Sequence, residues 1–423
     1  MVRPRSRRRL YYLGVGAAVA AVVAVTAQDD APGAQLANQP LVRSAAAATT
    51  AIETEETEPA LPLVGDAAFA GALDMTTVTR VGDHYEAKLG TEKYARLTLE
   101  PKFQEAAAAI LRESRAPRGA VVILDPDGSV LALAGRRAAS PNGSVEGTPD
   151  PALALDSWAP AASIFKIVTA AALVEAGVRP DDKVCFHGGV RSVMESNLTD
   201  SKSDSRCESL TYGVAHSQNA IIAKLVHQKL VPDDLRRTAQ ALGVDGDTAP
   251  WALAGKAGSI TIPSEKGVEL GKTAAGFIGS EMSPVGAALL ASTIGNHGLV
   301  APPRIIAAVI DGDHVQEIGA PEAHQAIPAR DADQVAAMMA STCNKGSAAK
   351  SFRRWKGAKV AGKTGTLGVD KPVYVEYSWF VGFIETDRGS VAIAVVLGNA
   401  EDWWMKAHTA ARRVLERALK PSS

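Results

Sequence analysis

Strand-like apolar runs lie at both ends of the patterned part of this chain, and their separation restricts the fold more than any other feature. Residues 120–124 (AVVIL) follow a break at Pro117, Arg118 and Gly119. Asp125, Pro126, Asp127 and Gly128 then make a turn into residues 129–134, so the two runs read as a β-hairpin. A further strand is expected at 357–362. Clear strand character returns only at 373–384 and 391–397, and the long stretch from about 163 to 347 is mostly helical in its spacing. Residues 103–114 and 403–419 read as helices, the second amphipathic. Strands placed at both ends, with helices inserted between them, share a core by joining one sheet, which makes the expected class α/β in the α+β sense.

The chain has 423 residues, 46% of them hydrophobic, enough for a sizeable buried core and too many for wholesale disorder. Its formal net charge of −1 suggests no polybasic nucleic-acid binder. That sum hides an asymmetry, because Arg3, Arg5, Arg7, Arg8 and Arg9 open the chain with no acid among them. An apolar run of 18 residues follows at 10–27, long enough at about 1.5 Å per residue to cross the hydrocarbon core of a membrane. Residues 1–27 are therefore expected to be a cleavable signal peptide or a single-pass signal anchor. The arginines stay on the cytoplasmic side and the body lies outside. Residues 28–95 read as a flexible tether, rich in Ala, Thr, Glu and Pro, followed by a short N-terminal segment; patterning begins near Leu73.

Chemistry concentrates in three short motifs. Ser163 and Lys166 stand three residues apart at the start of a helical run, so hydroxyl and amine share a face. Serine needs a base beside it, and a lysine whose pKa is lowered by burial or a second cation can supply one. Ser217, Gln218 and Asn219 follow 54 residues later, and Lys363, Thr364, Gly365 and Thr366 a further 146 residues on. In this order, as SxxK, SxN and KTG, they resemble the penicillin-binding transpeptidase family of serine acyltransferases. The stretch 119–134 (GAVVILDPDGSVLALA), Ser283-Pro284-Val285 and residues 379–383 (WFVGF) agree with the same family. The likeness covers roughly residues 96–420, the expected transpeptidase domain.

The resemblance implies a β-lactamase/transpeptidase-like fold, an antiparallel sheet with flanking helices and an inserted all-helical subdomain. It implies D,D-transpeptidation of peptidoglycan stem peptides through an acyl-enzyme on Ser163, with β-lactams acylating the same residue. Lys166 is the implied base, and Ser217 and Lys363 carry the proton to the leaving amine. Asn219, Thr364, Gly365 and Thr366 are the implied substrate-binding residues: Asn219 orients the substrate backbone, Thr364 and Thr366 hold its terminal carboxylate, and the backbone N–H groups of Ser163 and Thr366 form the oxyanion hole. A D,D-carboxypeptidase, a serine β-lactamase and a non-catalytic β-lactam sensor remain alternatives. No cofactor or metal is expected, since the eight histidines lack ligand spacing. No glycosyltransferase domain is expected before residue 96, so glycan polymerisation would need a membrane partner. The membrane itself is a partner if the N-terminal segment is not cleaved.

Several look-alikes are set aside. Residues 357–364 fit the phosphate-loop pattern GxxxxGK[ST], but Gly365, Gly368 and Pro372 break the helix that such a loop must open. Ser347 and Lys350 repeat SxxK and are expected to be an exposed helix pair; Ser140, Pro141 and Asn142 imitate SxN in a loop. His216 is a candidate for supporting its neighbour Ser217. Cys185 and Cys207 either pair across a Gly/Ser/Asp-rich loop or stay as thiols, and Cys343 is expected to be buried.

Overall fold

The computed structural model describes residue 69 and residues 71–244, 256–356, 358–370 and 373–419. The expected anchor at 1–27 and the tether as far as residue 68 lie outside the described residues. Among the described residues no helix is long and apolar enough to cross a membrane.

Six antiparallel strands form the central sheet, in the order Val360–Val369, Val375–Thr386, Gly389–Asn399, Arg118–Leu124, Val130–Ala138, Gly147–Pro149. Distant segments meet in the middle, where Ala392 pairs with Leu124 and Val396 with Ala120. The continuous apolar run 120–124 follows from cover on both faces. Val121 and Ile123 pack with the helices Pro101–Ser114 and Ala407–Ala418, whereas Ala120, Val122 and Leu124 pack in the core that holds Pro284–Gly295. Every residue of Pro284–Gly295 is buried, as expected of a helix apolar on all sides. Ala407–Ala418 instead buries Ala407, Ala410, Ala411, Val414, Leu415 and Ala418, one stripe at helical spacing.

Three expectations change. The strand expected to end at 362, before the KTG motif, is instead Val360–Val369 and runs straight through the motif. A Cβ on Gly365 would lie 3.2 Å from Trp379 Cβ and 3.3 Å from Ala162 Cβ, so this glycine serves close packing, not a bend. The second concerns the short N-terminal segment. Leu73–Val81, His84–Leu89 and Lys93–Leu97 build a five-stranded antiparallel sheet with Ile306–Asp311 and His314–Glu317. The division at residue 96 thus falls inside a strand, because Lys93–Leu97 needs Ile306–Asp311 beside it: Ala95 pairs with Val309 and Tyr94 with Ile310.

The inserted region is also not purely helical. Its helices include Lys166–Glu175, Leu210–Ala215, Asn219–Lys229, Val268–Ala275 and Ala329–Asn344. A two-stranded ribbon, Lys183–Phe186 with Arg206–Ser209, interrupts them, and Cys185 and Cys207 face each other across it in a disulfide. Cys343 is a buried free thiol, and burial pushes its pKa up to about 12.

Candidate active site

Ser163 lies in the 3-10 turn Ala162–Phe165, which runs into the helix Lys166–Glu175. Two contacts hold that turn against the central sheet and one holds it to the separate short strand Ser280–Met282. Trp379 Nε1 donates to Pro160 O at 3.0 Å, Ala161 N donates to Ser280 O at 3.0 Å, and Gly365 meets Ala162 and Ile164. Ala162 has φ 50°, a left-handed conformation that costs a residue with a side chain on the order of 1–3 kcal/mol. Gly276, the left-handed cap of Val268–Ala275, sits beneath it; a Cβ there would lie 1.8 Å from Ala162 O.

Lys166 is fully buried, and its Nζ lies 2.7 Å from Ser163 Oγ and 2.7 Å from Ala275 O. Burial, reinforced by the positive charge of Lys363, holds its pKa well below the usual lysine value. Lys363 is equally buried, and its Nζ donates to Ser217 Oγ at 3.0 Å and to Thr364 O at 2.9 Å. Burial lowers its pKa to about 7. Among the described residues neither amine has a carboxylate partner. Ser163 and Ser217 are half-buried, and each hydroxyl oxygen lies within hydrogen-bond reach of a desolvated amine. A neutral amine 2.7 Å from a serine oxygen can take its proton, and a positive local potential favours the alkoxide that forms.

Ser217 is the second strained position, at φ 57° in the link between Leu210–Ala215 and Asn219–Lys229. The neighbouring Gln218 caps the second helix through its side chain. Asn219 is buried, and its Nδ2 donates to Gly189 O at 2.8 Å and to Val190 O at 3.3 Å. Both bonds use its amide nitrogen and not its side-chain oxygen. Thr366 is exposed on the edge strand, and Thr364 Oγ1 lies 2.6 Å from Ser347 Oγ. The ring of His216 stacks on Tyr212, 4.2 Å between centroids.

Sequence reasoning missed four contributors. The carbonyl of Ala275 and the space at Gly276 come from a helix with no motif of its own. Ser347 had been set aside as part of an exposed pair. A buried network also fixes the loop that Asn219 holds: Lys224 Nζ reaches Cys185 O at 2.8 Å and Asp204 at 2.6 Å, and His187 Nδ1 lies 2.6 Å from Asp204. Burial works against ionised Asp204, but the bonds from His187 and Lys224 prevail and hold its pKa at about 2. Among the described residues no group of His, Cys, Asp and Glu is placed to hold a metal ion.

Compared with known proteins, residues 119–420 match the penicillin binding protein transpeptidase domain. The chain belongs to this family. It is similar to the peptidoglycan D,D-transpeptidase PbpA of Mycolicibacterium smegmatis, with 26% identity over 371 residues that span 80% of this chain and 74% of that protein. PbpA of Mycobacterium tuberculosis is 26% identical over 332 residues, 72% of this chain and 67% of the relative. The fold is likewise that of penicillin-binding protein A of M. tuberculosis in its imipenem acyl-enzyme complex, with a TM-score of 0.63 at 22% identity over 79% of this chain and 81% of that one. The antiparallel sheet with flanking helices is thus the transpeptidase fold that the motifs implied.

Proposed function

We propose that this chain is a serine D,D-transpeptidase that crosslinks peptidoglycan stem peptides through an acyl-enzyme on Ser163. The observation that carries the reading is the 2.7 Å contact between Ser163 Oγ and the Nζ of a buried lysine that has no acidic partner among the described residues. Lys166 takes the hydroxyl proton as Ser163 attacks the carbonyl of the donor D-Ala-D-Ala bond. Ala275 O engages one amine hydrogen and so fixes the amine beside Ser163. The backbone N–H groups of Ser163 and Thr366 stabilise the tetrahedral oxyanion, a type of contribution worth about 3–4 kcal/mol in other acyl-transfer enzymes. Collapse expels D-Ala, whose amine receives a proton through Ser217, and Lys363 polarises that hydroxyl from 3.0 Å. The acceptor amine of a second stem peptide then attacks the ester, and the same groups run in reverse.

Substrate placement follows from the sheet. Val360–Val369 is an edge strand, so one row of its backbone N–H and C=O groups has no partner within the sheet, and an extended peptide can add alongside it. Asn219 accepts from the substrate backbone through its side-chain oxygen, while Thr364 and Thr366 bind the terminal carboxylate. The body works outside the cytoplasm, tethered or released according to the fate of residues 1–27, and draws its glycan strands from a membrane polymerase.

Labelled penicillin tests the site. Wild-type protein forms a covalent adduct and Ser163→Ala forms none; an adduct that persists in the variant removes Ser163 from the role. A D-Ala-D-Ala pentapeptide with an acceptor amine tests the reaction, because crosslinked product supports transpeptidation. Release of D-Ala alone means a carboxypeptidase, rapid β-lactam turnover without peptide product a β-lactamase, and no peptide product at all a sensor.

A further inference from the structure

The second SxxK sequence, Ser347 to Lys350, does not repeat the chemistry of the first. Among the described residues Ser347 Oγ has one hydrogen-bond partner, Thr364 Oγ1 at 2.6 Å, and that partner is not Lys350. The backbone around it is tightly held. Gly346 N donates to Ser341 O at 2.9 Å, Ser347 N donates to Ala215 O at 2.9 Å, and Ala348 N donates to Thr342 O at 3.1 Å. Gly346 has no room for a side chain, since a Cβ there would lie 2.1 Å from Ala215 O. The turn after Ala329–Asn344 is thus wedged between the residues that lead to Ser217 and the strand that carries Lys363. Its hydroxyl is set against Thr364 by main-chain contacts on both sides.

From this geometry we infer that Ser347 is a positioning residue that makes the site selective for a free terminal carboxylate on the donor peptide. The inference rests on the proposed carboxylate-binding role of Thr364. A hydroxyl carries one proton, so two hydroxyls 2.6 Å apart share one bond in either of two directions. If Thr364 donates to Ser347, it has nothing left to give a ligand. If Ser347 donates, Thr364 keeps its proton for the site. A carboxylate only accepts, so its arrival selects the second direction and orders the chain from Ser347 through Thr364 to the anion, each bond strengthening the next. An ester or amide terminus carries no net charge and exerts a weaker pull on that order. Without Ser347 the Thr364 hydroxyl turns freely and must be ordered at the moment of binding.

The experiment compares a D-Ala thioester donor that ends in a free carboxylate with the same donor capped as a methyl ester, on the full chain, by second-order acylation rate. Ser347→Ala is expected to slow the carboxylate donor by roughly fivefold to tenfold, the net worth of one neutral hydrogen bond. The loss falls on apparent binding and not on the limiting acylation rate. The ester donor is expected to change little, and Ser347→Thr, which keeps a hydroxyl at an exposed position, to restore the rate. Thr364→Val serves as the reference. If Thr364→Val is selectively slow on the carboxylate donor while Ser347→Ala behaves as wild type, the Ser347 inference fails alone. Equal losses on both donors in Ser347→Ala reveal a structural contribution and overturn it as well. No selective loss in Thr364→Val removes the carboxylate reading itself, and this inference with it.

Discussion

Lys363 is fully buried with a pKa of about 7 in the folded chain, against an ordinary lysine value of 10.5. Between those two values the unfolded chain holds a proton that the folded chain has lost, so stability rises with pH across the window. Below about pH 7 both states are protonated, and the penalty for the buried cation is fully present. Lys363→Met is therefore expected to melt above wild type near pH 6, with the gap closing as pH approaches 10, and to acylate far more slowly at every pH. A gap that stays constant, or widens, in melting curves taken across that range would contradict the burial argument. Ser163 and Lys166 were legible as a pair from residue type and spacing, because a weak nucleophile needs a base beside it, whereas Ser217 and Lys363 were legible only through the motif order of the family the chain resembles. The strain at Ala162 and Ser217 was not. Neither is glycine or asparagine, so nothing in the local sequence announces a left-handed backbone; tertiary contacts impose it.

The helix Val268–Ala275 supports the turn that carries Ser163 through its end: the Ala275 carbonyl holds Lys166, and Gly276 lies against Ala162. Gly276→Ala meets both a positive φ of 82° and a carbonyl in the way, and is expected to cost about 1–3 kcal/mol of stability. Displacing the turn should also slow penicillin acylation by tenfold or more, since small misplacements of reacting atoms are costly. Acylation at the wild-type rate would separate that contact from catalysis. The ribbon that carries the disulfide makes a second prediction. Replacing Cys185 and Cys207 with serine opens a loop of 22 residues and should lower stability to urea by about 3 kcal/mol. Native oxidised protein should show no reactive thiol and a single one on unfolding, because only Cys343 is free and it is buried. Elements with strong periodicity, such as Ala407–Ala418 and the hairpin from Arg118 to Ala138, could be read ahead of the structure. Val360–Val369 was cut short because glycines signal turns and close packing with the same letter.

At the scale of the molecule, the five-stranded sheet makes residues 73–97 part of the catalytic body. Tyr85, Ala87 and Leu89 are buried at alternate positions of His84–Leu89, a period-2 pattern too brief to outweigh the polar residues around it in the sequence. A chain starting at Phe69 should unfold cooperatively in urea and retain penicillin binding. One starting at residue 98 leaves Ile306–Asp311 without its neighbour and should lose solubility or cooperativity. Equal behaviour of the two chains would return the boundary to the motif-bearing region. The central sheet carries a different consequence, one of timing. A ribosome completes the strands Arg118–Leu124 and Val130–Ala138 long before it makes Gly389–Asn399, the strand that lies beside Leu124. Until then the apolar edge of an early hairpin has no mate, and non-local pairing of this kind forms slowly and exposes sticky surface meanwhile. On the proposed roles of Lys363 and Thr364, which arrive with the same late segment, the chain acylates nothing in that interval. A nascent chain of this protein is thus at its most vulnerable to aggregation while it is still inert as a catalyst.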